Sequence, residues 1–401
     1  MKIAVYGGSF NPPHLGHVAA LRSAAEAISP DHILVIPAGM PPHKVLDSHS
    51  PDAEARLHLA ELAFRDVPGA EVLDIELKRL GKSYTVDTLQ EISYRFEDED
   101  LYFLVGTDML MSMEQWYQFD QILSGCTLVA LPRDEGDYPA MEQAARMLRR
   151  TYGARVVLIR KIPLPMASTD LRAALPLRQG RDRLSDAVYG EIIRRRYYGA
   201  RPDLAWLREK AFAMLKPGRV AHVQGCEQEA VKLAKRWGED PSLAAEAAIL
   251  HDITKKLTPA EQLRLCEQYD ILLDDFERGE PRILHARTGA ALARDLFGVT
   301  DEVFGAIEWH TTGKADMTTL EKIIYLADFT EPTRSFPGVE RIRALEYNDL
   351  DQAMVEALRM SMEEVRSRGA EPHPRSLEAL EWLEKGKNGT APTSADRKDT
   401  L

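Results

Sequence analysis

The stretch GGSFNPPHLGH, residues 7–17, constrains the fold more than any other part of the chain. The apolar run before it, residues 3–6, has the composition of a buried parallel strand. After it, apolar residues recur at helical spacing from Leu15 to Ile28. A strand, a glycine-rich turn and a helix in this order aim backbone N–H groups and the positive helix end at one point, which suits a phosphate. His14 and His17 lie one helical turn apart, so both rings can face that point.

Strand and helix patterns alternate through the rest of the first half. Strands are predicted at 32–37, 72–77, 101–105, 127–131 and 156–159, with helices at 53–64, 84–96 and 189–198 and a helical stretch containing Trp116. This alternation predicts an α/β unit with a parallel sheet, whose ligands bind beyond the carboxyl ends of the strands. Lys44, in the loop after the second strand, is therefore a candidate phosphate contact. Ser168 or Thr169 can cap a helix on which Arg172 faces the same way, and the three together would form a phosphate clamp.

Composition limits the function classes and the compartment. The chain of 401 residues has a net charge of -12, which argues against a general nucleic-acid surface. Because no run of about 18 apolar residues occurs, we expect no membrane contact through a spanning helix. The three cysteines have no paired spacing, and MKIAVYGGSF reads as a strand rather than a signal peptide. These features predict a cytoplasmic protein with two or three domains, and they leave homo-oligomer formation open.

Two motifs in the first half resemble a known family. His14-Leu15-Gly16-His17 resembles the HxGH signature of the nucleotidyltransferase superfamily, and GGSFNPPHLGH resembles bacterial nicotinate-nucleotide adenylyltransferases. MASTDLR, residues 166–172, resembles the family's second signature, ISSTxIR, with Met-Ala in place of Ile-Ser. The likeness extends from residue 1 to about 198, with a GTD turn at 106–108. It implies a Rossmann-like parallel sheet and adenylyl transfer from ATP, accompanied by Mg²⁺, to nicotinate mononucleotide.

The same resemblance implies roles for individual residues. Catalysis is expected from His14, His17, Lys44 and Arg172. Nucleotide binding is expected from Gly7, Gly8, Ser9, Phe10, Thr85, Gly106, Asp108, Trp116, Arg133, Ser168 and Thr169. In the family, the ring of Trp116 would stack on the nicotinate and Thr85 would lie near its carboxylate. Adenylyl transfer requires positioning and charge neutralisation rather than a covalent nucleophile, which fits these residue types. The sequence leaves open whether nicotinate or nicotinamide mononucleotide is preferred.

Almost every segment after residues 199–203 has a helical pattern. Helices are predicted at 204–215, 219–237, 241–256, 259–269, 285–297, 301–310, 320–329, 350–368 and 376–384. The polar residues that follow predict a disordered tail. We therefore expect an α/β domain over 1–198, an all-α domain over 203–385 and a tail over 386–401.

Histidines and aspartates with apolar neighbours recur through the helical half. The set comprises His222, His251, Asp252, His285, His310 and Asp328. The pair His251-Asp252 ends an apolar helix, and a buried carboxylate needs a partner such as a metal. Imidazole and carboxylate ligands suit a divalent transition metal, and the number of histidines allows a second ion.

The order H…HD…D resembles the HD-domain phosphohydrolases. The strings HDITK, HARTG, WHTTG and YLADFTEPTR resemble bacterial symmetrical diadenosine-tetraphosphate hydrolases over residues 203–385. This resemblance implies a helical HD bundle that holds two ions of iron or of another divalent transition metal. It also implies that the bundle cleaves diadenosine tetraphosphate to two ADP. Asp252 would be catalytic, and Lys255 on the same face would contact phosphate. Cys226, one turn after His222, is either an extra ligand or a buried structural thiol.

Two other functions are compatible with the helical half. It could be a different HD phosphatase that acts on mononucleotides or on a signalling nucleotide, or a nucleotide sensor without catalysis. A complete ligand set argues against the sensor, because sensing alone does not require six metal ligands.

Overall fold

A computed structural model describes residues 1–39, 50–79, 81–96, 99–160, 164 and 166–388. The chain divides into two units, Met1–Arg201 and Pro202–Leu401. The first is α/β and the second is helical, as the alternating and the purely helical sequence patterns predict.

One six-stranded sheet forms the centre of the first unit. Its strands are β1 (Lys2–Gly8), β2 (His32–Pro37), β3 (Ala70–Val72), β4 (Asp100–Gly106), β5 (Thr127–Leu131) and β6 (Arg155–Leu158). They lie in the order β3-β2-β1-β4-β5-β6, and every neighbouring pair is parallel. The chain therefore reverses its direction of travel across the sheet between β1 and β4, and the carboxyl ends of these two strands are where such folds bind ligands.

Eight helices accompany the sheet in the described part of the first unit. They are α1 (Leu15–Ile28), α2 (Ala53–Phe64), α3 (Thr85–Arg95), α4 (Thr107–Met111), α5 (Phe119–Gly125), α6 (Tyr138–Tyr152), α7 (Ser168–Ala174) and α8 (Asp186–Arg195). Short 3₁₀ turns occur at Met113–Gln115, Glu135–Asp137, Leu175–Leu177, Arg181–Arg183 and Tyr197–Gly199. Alternate residues of β1 enter two different cores, Ile3 and Val5 in one and Ala4 in the other. Both faces of the sheet are therefore covered, which explains the continuous apolar strands.

The structure corrects three local predictions in the first unit. The strand predicted at 72–77 ends at Val72, because Leu77 and Lys78 donate backbone hydrogen bonds back to the Asp74 carbonyl and form a turn. Trp116 lies in extended backbone at the end of a 3₁₀ turn and is not helical. The predicted helix at 189–198 begins earlier and ends at Arg195.

The second unit consists of helices and turns over its described residues, 202–388. The helices are α9 (Leu204–Ala213), α10 (Val220–Trp237), α11 (Pro241–Leu250), α12 (Pro259–Gln268), α13 (Asp275–Gly279), α14 (His285–Phe297), α15 (Asp301–Glu308), α16 (Thr319–Thr330), α17 (Val339–Glu346), α18 (Leu350–Ser367) and α19 (Pro374–Asn388). Further 3₁₀ turns lie at Pro217–Arg219 and Pro281–Leu284. Helix α10 packs against both α11 and α16, so the helices that carry or directly precede four of the metal-ligand candidates lie next to one another.

Two helix ends differ from the sequence prediction by more than two residues. The helix predicted to reach residue 256 ends at Leu250, since the next residues turn through shorter backbone hydrogen bonds such as Lys255 N–H to the Asp252 carbonyl. Helix α19 runs to Asn388, past the predicted start of the tail, and residues 389–401 lie outside the described part. None of the helices in the described residues is both long enough and apolar enough to cross a bilayer.

Candidate active sites

The glycine-rich turn of the first unit connects β1 to α1 and lies at the carboxyl end of the sheet. Gly16 is required there, because a Cβ at this position would lie 2.9 Å from the backbone oxygen of Leu164 and 3.0 Å from the ring of His14. Phe10 has a positive φ of 42° and a buried side chain that packs edge-on against the rings of Tyr6 and Phe64. Its side chain therefore anchors the turn in the core.

His14 and His17 hold each other in place through the backbone of α1. His14 caps the helix: its Nδ1 accepts from the His17 N–H at 3.3 Å, and the His17 Nδ1 accepts from the His14 N–H at 3.2 Å. The rings stack with centroids 3.7 Å apart. Because Nδ1 accepts in both, each neutral ring carries its proton on Nε2. Burial lowers the pKa of His14 to about 4, so this ring is a neutral Nε2–H donor near pH 7.

The second motif supports the first one directly. The Ser168 hydroxyl donates to the Pro12 carbonyl at 3.0 Å, and Arg172 Nη1 donates to the Asn11 carbonyl at 2.7 Å. Ser168 is the first residue of α7, whose cap position, Ala167, makes no side-chain hydrogen bond, so the predicted capping role is wrong. Thr169 accepts from Arg172 Nη2 at 3.3 Å. The two motifs thus meet at the same loop.

Arg56 is a residue of this site that sequence reasoning missed. Its side chain is only 1% exposed, and its Nη1 donates to the Ser9 carbonyl at 2.9 Å and the Ala38 carbonyl at 2.8 Å. It therefore ties the loop after β1 to the loop after β2. The sequence pattern does contain one indication of its role. Arg56 lies on the buried face of α2, one turn before Leu59 and Ala60, at a position where an apolar residue is expected.

A cavity of about 490 Å³ opens beside the turn, at the ends of β1, β2 and β4. Several residues that the sequence predicts to bind nucleotide line this cavity, namely Gly7, Gly8, Ser9, Thr85 and Trp116. Aromatic rings form much of its wall, since Tyr84 and Tyr117 approach to 4.6 Å between centroids and Trp116 meets Phe103 edge-on. The size and aromatic lining suit a flat heterocycle.

Other predicted residues lie outside this lining. Gly106 ends β4, and Asp108 and Arg133 form an exposed ion pair at 2.6 Å. Lys44 falls outside the described residues. Within the cavity, Glu76 accepts from the Thr88 hydroxyl at 2.8 Å, and burial raises the pKa of its carboxyl.

In the second unit, the structure brings all six metal-ligand candidates together. They come from α10, the turn after α11, the start of α14, the turn after α15, and α16. His222 Nε2 lies 2.9 Å from Asp328 Oδ1, and His285 Nε2 lies 3.2 Å from His310 Nε2. The predicted cluster therefore exists although its members are far apart in the sequence.

Asp252 lies between two groups of ligands. Its Oδ1 is 3.4 Å from His285 Nε2 and 3.7 Å from His310 Nε2. Its Oδ2 is 3.4 Å from His251 Nε2 and 3.9 Å from His222 Nε2. Burial opposes the charged form, but the adjacent His251 ring keeps the pKa of Asp252 well below its usual range. Asp252 therefore presents one oxygen to each group of candidate ligands.

The backbone orients three of the histidine rings. The Nδ1 atoms of His251, His285 and His310 donate to carbonyl groups three residues earlier, at 2.7, 2.8 and 2.7 Å. With Nδ1 donating, the neutral form of each ring presents Nε2 toward the cluster as a lone-pair donor, which is the tautomer that metal binding requires. Burial and the nearby Lys255 ammonium, whose Nζ is 2.8 Å from the ring, hold the pKa of His285 well below its usual range.

Glu331 orients the fourth ring and was missed in the sequence. His222 Nδ1 donates to Glu331 Oε1 at 3.0 Å, a carboxylate–histidine pair typical of metal sites. Gly225 makes room for it, because a Cβ there would lie 2.5 Å from Glu331 Oε2. Sequence spacing does not predict this contact, since the two residues are 109 positions apart.

The residues present fit divalent cations. His251 Nε2 and Asp252 Oδ1 are buried and have no hydrogen-bond partner. Ligand atoms of His251, Asp252 and His310 lie within 4.8 Å of one another, as do those of His222, His251, Asp328 and Cys226. Cys226 Sγ is 3.3 Å from His222 Nε2. A buried set of imidazole and carboxylate groups with unsatisfied atoms is explained by bound metal.

Comparison with known proteins identifies both units. A family model described as cytidylyltransferase-like matches residues 5–174, and one described as HD domain matches residues 219–333. A probable nicotinate-nucleotide adenylyltransferase of Lachnoclostridium phytofermentans is 34% identical over 198 residues, which are 49% of this chain and 98% of that protein. The symmetrical bis(5'-nucleosyl)-tetraphosphatase of Bacillus subtilis is 35% identical over 184 residues, which are 45% of this chain and 98% of that protein.

A third relative spans most of the chain. A Mycoplasma pneumoniae protein named probable nicotinate-nucleotide adenylyltransferase/Ap4A hydrolase is 27% identical over 331 residues, which are 82% of this chain and 88% of that protein. These findings confirm both resemblances that the motifs indicated. The chain belongs to the nicotinate-nucleotide adenylyltransferase family and, through its HD domain, to the family of symmetrical bis(5'-nucleosyl)-tetraphosphatases.

Proposed function

We propose that this chain is a bifunctional enzyme. One reaction transfers the adenylyl group of ATP to nicotinate mononucleotide and releases pyrophosphate, leaving nicotinate adenine dinucleotide. The other uses water to split diadenosine tetraphosphate into two ADP. The observation that carries the proposal is that each unit assembles a site of its own, while a relative named for both activities matches 82% of the chain.

The first reaction requires orientation and neutralisation of charge on phosphate. A phosphate oxygen of the mononucleotide attacks the α-phosphorus of ATP in line, and pyrophosphate leaves. We assign the Nε2–H groups of His14 and His17 to the phosphates and to the charge that develops during transfer. Arg172, fixed beside the same loop, adds a guanidinium, and Lys44 is assigned to phosphate as well. Mg²⁺ bound to ATP would neutralise its phosphate oxygens.

The cavity at the ends of the strands is the proposed site for the nucleotides. Its aromatic wall favours stacking of the pyridine ring on Trp116, and the uncapped start of α3 offers backbone N–H groups at Thr85 to the carboxylate. We assign Gly7, Gly8 and Ser9 to close contact between backbone and nucleotide.

Nucleotide contacts outside this lining are assigned to Gly106, Asp108, Arg133, Ser168 and Thr169. Phe10 supports the turn through packing.

The second reaction takes place at the histidine and aspartate cluster. We assign His222, His251, Asp252, His285, His310 and Asp328 as ligands, and iron or manganese as more suitable than Mg²⁺ alone. Divalent cations held there would neutralise the phosphate bridge and activate a water molecule. Asp252 orients both ligand groups, Glu331 fixes the His222 ring, and the Lys255 ammonium supplies positive charge to the bridge.

We place the protein in the cytoplasm, because Cys126, Cys226 and Cys266 are all free and buried, which suits a reducing compartment. We also propose that 1–198 and 203–385 are independent domains, since each unit has its own core.

Product analysis tests both activities on the same preparation. With diadenosine tetraphosphate and Mn²⁺ or Fe²⁺, chromatography should show ADP as the only nucleotide product. ATP and AMP in equal amounts would contradict symmetrical cleavage, and rapid dephosphorylation of mononucleotides without this cleavage would favour a different HD phosphatase. With ATP and nicotinate mononucleotide, the dinucleotide and pyrophosphate should appear in equal amounts. Nicotinamide mononucleotide serves as the matched comparison for acceptor specificity.

A further inference from the structure

Cys226 lies beside the metal-ligand candidates of the second unit but is not one of the six. It follows His222 by four residues on α10, so the two side chains project from the same face of the helix. Cys226 is only 1% exposed, and its Sγ lies 3.3 Å from His222 Nε2. Four ligand atoms lie within 4.8 Å of one another, one each from His222, Cys226, His251 and Asp328. The thiol is therefore a fourth possible donor to one cation.

The distances around His222 fit a shared cation. Sulfur and nitrogen ligands of one metal, at an octahedral or tetrahedral angle, lie about 3.1–3.6 Å apart, and nitrogen and oxygen ligands at an octahedral angle lie about 2.9 Å apart. His222 Nε2 is 3.3 Å from Cys226 Sγ and 2.9 Å from Asp328 Oδ1. Because His222 Nδ1 donates to Glu331, the neutral ring turns the lone pair of Nε2 toward the sulfur and the carboxylate. One cation would satisfy all three atoms.

His251 provides independent support for a cation at this position. Its Nε2 is buried without a hydrogen-bond partner among the described residues, and it lies 3.9 Å from Asp328 Oδ1. The Nδ1 of the same ring donates to the Ala248 carbonyl, so Nε2 is the nitrogen available to the group. Asp328 Oδ1 also accepts from Arg334 Nη2 at 3.0 Å, and a carboxylate oxygen has a second lone pair for a cation. A buried imidazole nitrogen without a partner is costly, and a cation would remove that cost.

The other two cysteines provide the comparison with purely structural thiols. Cys126 Sγ donates to the Ile122 carbonyl at 3.2 Å. Cys266 lies on α12 and belongs to none of the groups of possible metal ligands found among the described residues. All three thiols are buried, so burial does not distinguish Cys226 from the others. What distinguishes it is a sulfur placed against the ligand atom of a histidine.

We infer that Cys226 binds a divalent cation through its thiolate, together with His222, His251 and Asp328. The inference rests on the metal centre of the proposed hydrolase and adds a seventh ligand to it. As the metal–sulfur bond forms, the S–H bond breaks and its proton passes to solvent. A thiolate is a soft ligand, which favours Zn²⁺ over Mn²⁺ and Mg²⁺.

The thiolate makes the two ligand groups of the cluster unequal. Asp252 Oδ1, His285 Nε2 and His310 Nε2 lie 3.2, 3.4 and 3.7 Å from one another in pairs, and they offer only nitrogen and oxygen. Such a set suits Mn²⁺ better than a set that contains sulfur does. The cation bound with Cys226 should therefore differ in metal preference from its neighbour.

Cobalt is a direct probe of a bond to sulfur. Titration of the full chain with Co²⁺ should produce a sulfur-to-cobalt charge-transfer band in the near ultraviolet, which nitrogen and oxygen ligands do not give. The band should be absent from Cys226→Ala. It should persist in the double variant Cys126→Ala, Cys266→Ala, in which Cys226 is the only cysteine. Equilibrium dialysis measures the Co²⁺ bound by each protein.

Three results of the cobalt titration would overturn the inference. The native chain could bind no Co²⁺, or it could bind Co²⁺ without the band. The band could also remain in Cys226→Ala, which would assign it to another thiol. The double variant gives the same decision if Cys226→Ala does not fold, because its band can come only from Cys226.

Metal affinities give a second readout that a structural role would not produce. In Cys226→Ser, which keeps the size of the side chain, the tightest binding of Zn²⁺ should weaken at least about tenfold, whereas Mn²⁺ affinity should change less than about threefold. Competition with a chromogenic chelator measures both. Cys266→Ser, a matched substitution of a buried thiol in the same unit, should change neither affinity. Equal losses for Zn²⁺ and Mn²⁺ in Cys226→Ser would show that the thiol only supports α10 and would overturn the inference.

The cobalt band and the hydrolysis assay separate this inference from the proposed function. If the band belongs to Cys226 but diadenosine tetraphosphate is not cleaved with any of these metals, the thiolate ligand stands and the proposed substrate is wrong. If the dinucleotide is cleaved to ADP while the native chain binds Co²⁺ without the band, the proposed function stands and the thiolate ligand is overturned.

Discussion

The two sites satisfy their polar groups in opposite ways. In the first unit, His14 and His17 accept each other's backbone N–H groups, and the loop carbonyls are taken by Arg56, Ser168 and Arg172. In the second unit, His251 Nε2 and Asp252 Oδ1 are buried with no hydrogen-bond partner. The contacts described at the first site are thus made within the chain, although Arg56 Nε is buried without a partner, whereas the unpaired atoms of the second site are candidate ligand atoms for a cation.

This difference predicts that the two activities respond separately to mutation and to metal. Substitutions in the first site should act on the position of the hydrogen-bond donors that contact phosphate. Damage to the second should act through the affinity for metal ions. The following experiments test the comparison, beginning with the largest expected effect.

Asp252→Asn should have the largest effect. It keeps the size of the side chain but removes the charge that joins both ligand groups. We expect hydrolysis of diadenosine tetraphosphate to fall by more than about a thousandfold, or about 4 kcal/mol, since metal-dependent charge stabilisation is lost. Adenylyl transfer by the same preparation should be unchanged. Measurable loss of both activities would show that the two sites are coupled and would contradict the comparison.

His17→Ala should produce the converse result. It removes one Nε2–H donor, and loss of such a donor to developing charge costs roughly 10²–10³ in turnover. We expect adenylyl transfer to fall by at least about a hundredfold, with a smaller change in the KM for ATP. Hydrolysis of diadenosine tetraphosphate should be retained, which checks that the variant is folded. Near-normal adenylyl transfer would remove the histidine pair from the mechanism.

Glu331→Gln should weaken metal binding by about 10–100-fold, because an outer carboxylate fixes the orientation and basicity of the His222 ring. Titration with Mn²⁺ measures this directly. Glu346→Gln is the matched control: burial raises the pKa of Glu346 to about 8, so its carboxyl is mostly protonated at pH 7 and an amide resembles it closely. The control should bind Mn²⁺ as the native chain does. Equal losses in both variants would indicate a general defect of the bundle.

The same contrast explains what the sequence could predict. The first site depends on a contiguous stretch, so residues 7–17 and the exact bounds of α1 could be derived from spacing and apolar pattern. The six candidate ligands of the second unit could be found because each histidine or aspartate has apolar neighbours in the sequence. Arg56 and Glu331 could not, because their partners are distant in sequence and are fixed only by tertiary packing. The end of α11 at Leu250 was missed because propensity does not reveal where a turn must bring two ligands together.

Thermal unfolding should show the smallest effect and tests the comparison most directly. A cation that binds only the folded second unit stabilises it by about 1.4 kcal/mol when its free concentration is about ten times Kd. For a unit of this size that corresponds to an increase in Tm of about 3–6 °C, and a chelator should reverse it. In the absence of ATP, the first unit should unfold at the same temperature with or without cation, because the six candidate ligands all lie in the second unit. Asp252→Asn should abolish the shift, since it removes the charge shared by both ligand groups. A cation-dependent transition that persists in this variant, or one that belongs to the first unit, would show that the histidine and aspartate cluster is not where the metal acts.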